Sequence, residues 1–392
     1  MDRRSRIAFL VVASAALAAA LLAGGVWRSV GPPTGTALPT VEVSLRPLPV
    51  GDAYSGPEAY RVTWEQNVVI AGSGSWTGAI DIPLTQEESA ARAIKGGTGT
   101  SIVADASEIA VLVWHSVGPP TETRAPCPGV LGQPRAWRIV AGTLDGTGRP
   151  AALREIATGQ NDVIFGGPMG GEGCLATSVP NVAVADGQIA YSFDDPDGKR
   201  PVGSRIELRS LADGTIVRQL ATPTHVLSLG LSHENVAWIE AGADYPTRLP
   251  LRVSTHDEPE ARDLVTFATP GQQMGWSIPS FAVAEHLVFW EQFGTGQIWA
   301  QDLATGGKMR VSPDGTACLI GGASDTTTVM NCRGDNDSSS QASTLVIWTM
   351  GTGPRLLAGA AGVQGEQISN GWVVASATET DRTFGFPLSA IH

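Results

Sequence analysis

Seven times in this chain an eight-residue unit recurs without a gap. Val184–Tyr191 reads VADGQIAY, Leu231–Trp238 reads LSHENVAW and Val283–Trp290 reads VAEHLVFW. Ile368–Ala375 reads ISNGWVVA and Val62–Val69 reads VTWEQNVV, while Ala104–Val111 (ADASEIAV) and Ala323–Met330 (ASDTTTVM) are poorer copies. Each copy is an apolar strand end, a turn and a second apolar run, which reads as a β-hairpin. Asp186-Gly187 and Asn370-Gly371 supply the positive-φ residues that tight hairpin turns need. The residues after the turn are the β-branched and aromatic types that pack well in strands. The 47 Gly and 26 Pro follow no three-residue period, which excludes collagen and disfavours a helical bundle.

Most copies lead into a second hairpin. Ile298–Val311 is the clearest, followed by Ile206–Leu220 and Leu345–Leu357, with Asp213-Gly214 and Gly306-Gly307 at turns. One unit is therefore four short strands. Unit starts fall at 62, 104, 184, 231, 283, 323 and 368, giving steps of 42, 80, 47, 52, 40 and 45. Five of the six steps lie near the roughly 40–50 residues of a four-stranded propeller blade. The step of 80 holds Pro119-Pro120, Pro126 to Pro134 and the Gly-rich stretch 166–173, read as two loop insertions in the second unit. The expected fold is an all-β propeller of seven blades over residues 41–392; merging the weakest copies gives six.

The pattern resembles the β-propellers with TolB-like and WD-type repeats of exported bacterial proteins. Val311-Ser312-Pro313-Asp314-Gly315-Thr316 matches the S-P-D-G turn of TolB-like repeats. Ala300–Gly306 looks like the A-x-D-x-x-T-G segment of quinoprotein repeats, but the Trp that closes that motif is absent. The resemblance implies the fold and no quinone site. An incomplete last blade would leave an open strand edge, an aggregation hazard. The seventh unit supplies three strands, so the fourth is expected from Val41–Arg46, which would bring both ends of the domain into one blade.

Arg3, Arg4 and Arg6 precede the uncharged run Ile7–Val26, whose 20 residues approach the length of a membrane-crossing helix. Residues 1–28 read as a signal anchor or a signal peptide, and both place the remainder outside the cytoplasm. Residues 29–40 are a Pro/Gly-rich linker. Export permits disulfides, and the four cysteines allow three pairings. Cys318 and Cys332 flank two adjacent antiparallel strands, while Cys127 and Cys174 lie in the two insertions of the second unit. The expected pairs are Cys127–Cys174 and Cys318–Cys332. No Cys-x-x-Cys or His pair has the spacing of a zinc site, so no metal and no cofactor is expected.

The first 28 residues hold four Arg against one Asp, so the rest of the chain carries −15 of a net −12. That balance excludes a nucleic-acid binder, which needs a basic footprint. No G-x-S-x-G elbow or H-E-x-x-H frame involves the six histidines. The turns Asp194–Gly198 and Asp335–Asp337 lack the calcium-loop frame. Asp81, Glu240 and Glu291 are the carboxylates a glycan hydrolase or lyase could use at a central channel. Glu240 and Glu291 each follow a Trp of the repeat, which suggests a shared role. The expected function is a membrane-tethered, monomeric binding or scaffold module whose partner is a protein or a cell-envelope polymer, neutral or basic. The glycan-acting enzyme and a ligand sensor are the alternatives.

Overall fold

The computed structural model describes residues 38–42, 46–47, 59–63, 79–92, 98–105, 108–117, 121–122, 131–143, 153–164, 179–194, 203–233, 235–241, 248–268, 278–334, 344–357, 363–369, 372–377 and 382–391. The apolar run Ile7–Val26, Cys127, Cys174, Trp64, Trp76, Trp276, Asp335–Asp337 and His392 lie outside the described residues. No helix among the described residues is long and apolar enough to cross a membrane.

In chain order, the arm strands β1 (Thr40–Val41) and β2 (Arg46–Pro47) come first. The first sheet is the pair β3 (Ala59–Thr63) and β4 (Ala79–Pro83), followed by helix α1 (Gln86–Arg92). The second sheet holds β5 (Thr98–Asp105), β6 (Glu108–Ser116), β7 (Thr121–Glu122), β8 (Leu131–Thr143) and β9 (Arg154–Ile164). The third is β10 (Asn181–Ala185), β11 (Gln188–Asp194), β12 (Ser204–Ser210) and β13 (Ile216–Thr222). The fourth is β14 (Val226–Ser232), β15 (Asn235–Glu240), β16 (Arg248–Ser254) and β17 (Arg262–Ala268). The fifth is β18 (Phe281–Val283), β19 (Leu287–Gln292), β20 (Gln297–Asp302) and β21 (Lys308–Arg310). The sixth is β22 (Thr316–Ser324), β23 (Thr327–Gly334), β24 (Thr344–Thr349) and β25 (Gly353–Leu357). The seventh is β26 (Val363–Ser369), β27 (Trp372–Ala377) and β28 (Arg382–Pro387), closed by a 3-10 turn, Leu388–Ile391.

Sheets three, four and five are simple four-stranded antiparallel meanders. Neighbouring sheets pack in sequence order, each through its first strands onto the next. This is the arrangement of propeller blades. Five copies of the eight-residue unit keep one register: Asp105 pairs with Glu108, Ala185 with Gln188, Ser232 with Asn235, Ser324 with Thr327 and Ser369 with Trp372. The third and fourth residues of each of these copies are thus the turn. The copy read at Val62–Val69 departs from it, since Thr63 pairs with Ala79 across a longer connection than the eight-residue hairpin expected there. Asp186 and Gly187 sit at φ 50° and 73°, the left-handed pair that Asp-Gly favours in such turns.

The register decides the packing. Side chains alternate between the faces of a strand, so a shared register turns the eighth residue of these units to the same side. Tyr191 lies with Trp137 and Ile139 of the second sheet, and Trp238 with Ile206 and Leu208 of the third. Trp290 lies with Ile239 and Leu251 of the fourth, Met330 with Phe289 and Ile298 of the fifth, and Ala375 with Val329 and Ile347 of the sixth. In these five copies the eighth residue faces the preceding sheet. Burying such a large side chain contributes roughly 1.5–3 kcal/mol, so the core is a series of layers between sheets rather than one centre.

Three further expectations need correction. The arm does not form one strand over Val41–Arg46. Arg46 and Pro47 pair antiparallel with Gly385 and Phe384 of β28 and supply the fourth strand of the seventh sheet, whereas Thr40 and Val41 pair parallel with Leu356 and Leu357 of β25. The long second unit owes part of its length to its strands, since β8 and β9 run 13 and 11 residues. The domain also carries a helix. Thr85 and Glu88 form a reciprocal capping box at α1, with Glu88 N–H donating to Thr85 Oγ1 and Thr85 N–H to Glu88 Oε2. The same Glu88, 1% exposed, takes a two-pronged contact from Arg138 at 2.6 and 2.8 Å, which pins the helix to β8.

Gly230 marks a close approach between the fourth and fifth sheets: a Cβ there would lie 2.9 Å from both Phe281 and Val283. Gly230→Ala is expected to lower the unfolding free energy by about 1–3 kcal/mol through overpacking, measured as a shift in the urea midpoint with the slope unchanged.

Candidate binding rim

The hairpin turns of consecutive sheets are bonded to one another. His233 N–H donates to Asp186 Oδ2 at 2.9 Å, joining sheets four and three. Asn235 Nδ2 donates to Glu285 O at 2.7 Å, joining four and five, and Glu285 N–H donates to Asp325 Oδ1 at 2.9 Å, joining five and six. Asp186, His233, Glu285 and Asp325 occupy the third position of the unit and Asn235 the fifth, so these two repeat positions together link four consecutive sheets. The second hairpin of a sheet leans on the first. Leu211 N–H donates to Gly187 O, Leu303 N–H to His286 O, and Met350 N–H to Thr326 O, at 2.8–2.9 Å.

A second set of braces runs from the outermost strand of one sheet to the second hairpin turn of the next. Arg154 donates to Ser210 O and Leu211 O, Arg218 to Ser254 Oγ and Thr255 O, and Arg262 to Leu303 O. Each such bond contributes roughly 0.5–1.5 kcal/mol. Together they fix a rim of turns whose exposed side chains include Asp186, His233, Glu285 and His286. His233 lies 3.9 Å from both Asp186 and Glu285. Such a rim is polar, held in place before any partner arrives, and rich in carboxylates.

The carboxylates singled out from the sequence are dispersed. Glu240 ends β15 on the Trp238 side of the strand. It is 1% exposed, ion-paired to Arg252 at 3.0 Å and within 3.4 Å of the Trp238 indole N–H. Arg252 also contacts Asp263 at 2.8 Å. Burial raises the Glu240 pKa, with Arg252 and Trp238 opposing and Asp263 adding to the rise. Glu291 follows Trp290 by one residue and so faces the other way; Ser280 Oγ donates to it at 3.1 Å. Burial raises its pKa too, against the Ser280 bonds. The two residues therefore share no structural role, contrary to the expectation from their spacing. Asp81 pairs in register with Arg61 in the first sheet.

His233 and His286 both approach Glu285 Oε1, at 3.9 and 3.8 Å, while the other described histidines stand apart. His115 is buried in β6 with Nε2 3.9 Å from Glu87; His225 is buried and its carbonyl accepts Ala241 N–H; His256 is exposed in the turn between β16 and β17. Among the described residues no group of three His, Cys, Asp or Glu could hold a metal ion. Cys318 and Cys332 face each other across β22 and β23 and form a disulfide, both nearly fully buried. The quinoprotein-like segment is a turn: Asp302 Oδ1 accepts the N–H groups of Ala304 and Thr305, and Gly306 takes the left-handed conformation.

One buried polar network was not foreseen. Tyr191, Glu207 and Gln219 stand in one cross-strand row over β11, β12 and β13. Glu207 accepts from the Tyr191 hydroxyl, from Gln219 Nε2 at 2.8 Å and from Arg209 at 2.7 and 3.0 Å. Burial alone would raise the Glu207 pKa, but these donors outweigh it and the net shift is downward. The Tyr191 pKa is raised, first by burial and then by Glu207. Arg209 also reaches Ile156 O, so the network ties the second sheet to the third. The signal available in the sequence was the alternation itself, which puts Glu207 and Arg209 on one face of β12.

No family model matches the chain, and no characterised protein matches it by sequence. Among solved structures it is similar to the β-propeller domain of the Trilobed protease from Pyrococcus furiosus, with TM-score 0.44 and 11% identity over 72% of this chain and 79% of that one. It is also similar to a puromycin-hydrolyzing peptidase from Mycobacterium tuberculosis, with TM-score 0.39 and 19% identity over 68% of this chain and 39% of that one. An acylaminoacyl peptidase from Pyrococcus horikoshii gives TM-score 0.42 and 10% identity over 70% and 42%. The chain thus spans about two fifths of the length of each peptidase. These likenesses concern the fold and bring no activity with them.

Two outcomes follow from the buried acids. Glu207→Ala leaves Arg209 and Tyr191 without their shared acceptor and is expected to cost about 3–5 kcal/mol, read by chemical denaturation. Glu291 has a raised pKa in the fold, so its contribution is fully present below the unfolded-state value and is lost as pH rises through the folded one. Glu291→Gln is therefore expected to be more stable than the parent at neutral pH. That advantage should shrink as pH falls toward the ordinary carboxylate range, as followed by thermal unfolding against pH.

Proposed function

We propose that the chain is a seven-bladed propeller of the TolB-like or WD-type repeat kind, closed by its N-terminal arm. In this reading it is exported and held at the membrane by residues 1–28, and it works as a monomeric, non-enzymatic binding module. The partner is a protein or cell-envelope polymer with a neutral or basic contact surface, engaged on the rim of hairpin turns. The observation that carries this reading is the braced chain of turns from Asp186 through His233 and Glu285 to Asp325. Its ordering is complete before binding, which removes a cost that flexible loops incur on association. Its carboxylates agree in sign with the −15 of the chain after residue 28. The gapless repeat unit supports the family reading, and the seven sheets among the described residues support the blade number.

The test is capture of envelope components on the immobilised full chain, beside the variant Asp186→Asn, Glu285→Gln, Asp325→Asn. These replacements remove three charges while keeping acceptors for the turn bonds. A basic partner is expected to bind about tenfold more weakly to the variant and more weakly in high salt, and a neutral one to bind both forms alike. No capture together with turnover on a panel of envelope glycans would replace this reading with the hydrolase or lyase.

A further inference from the structure

The arm that crosses from the sixth sheet to the seventh is held by two of the shortest pairings in the domain. β1 pairs with β25 over Thr40 and Val41 only, and β2 with β28 over Arg46 and Pro47 only. The sixth sheet's own hairpin, β22 with β23, is paired from Thr316–Gly334 to Ser324–Thr327. Beyond its backbone bonds the arm has two apolar anchors. Val41, 8% exposed, lies in the layer with Leu357, Ile347 and Phe386, and Leu38 packs half-buried against the layer of Trp348 and Val346. Leu356 N–H donates to Pro39 O at 2.8 Å, while Pro39, Thr40 and Glu42 are exposed. Segments with few buried contacts and short ladders open at the low end of the local-unfolding scale.

Once lifted, the arm uncovers the edge of β25, where Leu356 and Leu357 stand beside unpaired backbone groups, a ready template for an extended strand. The edge already fits one sequence, that of residues 38–41. We propose that the outer edges of the sixth and seventh sheets are a docking surface for the arm of a second copy of this chain, so that two molecules pair by reciprocal arm exchange. Every contact of the exchanged form is one the single chain already makes, so the dimer needs no new interface chemistry. An unrelated segment would have to reproduce the spacing of Leu38 and Val41 and the parallel register on β25. The chain's own arm competes at an effective concentration on the order of mM. Dilute protein therefore stays single, and crowded protein exchanges.

Thr40 and Leu356 are register partners, which allows a trap. The full chain carrying Thr40→Cys and Leu356→Cys is prepared as light and isotope-labelled copies, mixed, and warmed to the onset of unfolding at several concentrations. It is then cooled, oxidised and run without reductant. Peptide mapping should find the new cross-link joining light to heavy chains, with the dimer fraction rising at least severalfold across a hundredfold range of concentration. Unsubstituted chains bearing two different affinity tags, treated alike, should co-purify and remain paired after dilution. Only intrachain cross-links at every concentration, or dimers linked through other cysteines with no co-purification of the tagged chains, would overturn the proposal.

Discussion

Everything in this domain depends on the parity of its strands. Because side chains alternate, the eighth residue of each unit can be a large ring that fills the layer toward the preceding sheet. A slip of one residue in any first hairpin would turn that ring to the wrong side and move the turn off the rim. The tight two-residue turn holds the register, and in the third sheet Asp186 and Gly187 do so with left-handed backbone. Local turn chemistry and long-range packing are thus the same constraint seen at two scales.

Much of this was legible in the residues. The eight-residue unit aligns without gaps because the hairpin admits none, and Tyr191, Trp238 and Trp290 mark the layers directly. The donor of the last sheet's fourth strand was placed within a few residues. Its division into two strands was not, since a two-residue parallel pairing leaves no periodic trace. Helix α1 was overlooked although Thr85-Gln86-Glu87-Glu88 spells a capping box, because strands dominate the surrounding pattern.

The candidate site was harder to read. Glu240 and Glu291 look alike in sequence, each close behind a Trp, yet one residue of offset sends them to opposite faces, one to Arg252 and the other to Ser280. The braces made by Arg154, Arg218 and Arg262 have no fixed place in the repeat, because they reach from one unit to the turn of the next. The polar chain of the rim draws on positions three and five of four units, where the residue type varies and side chains bond to the backbone of the neighbouring turn. Recognition by composition fails there; recognition by register succeeds.

The fourth position of the unit has a further consequence. Gly187, His286 and Thr326 offer their carbonyls, not their side chains, to the bonds that tie the two turns of a sheet together. Residue identity at that position is therefore largely uncoupled from stability, subject to the backbone angle. Substitutions can accumulate there and alter the outward chemistry of the molecule while the layers beneath stay intact, which makes these positions the cheapest route by which such a scaffold could drift toward a new specificity.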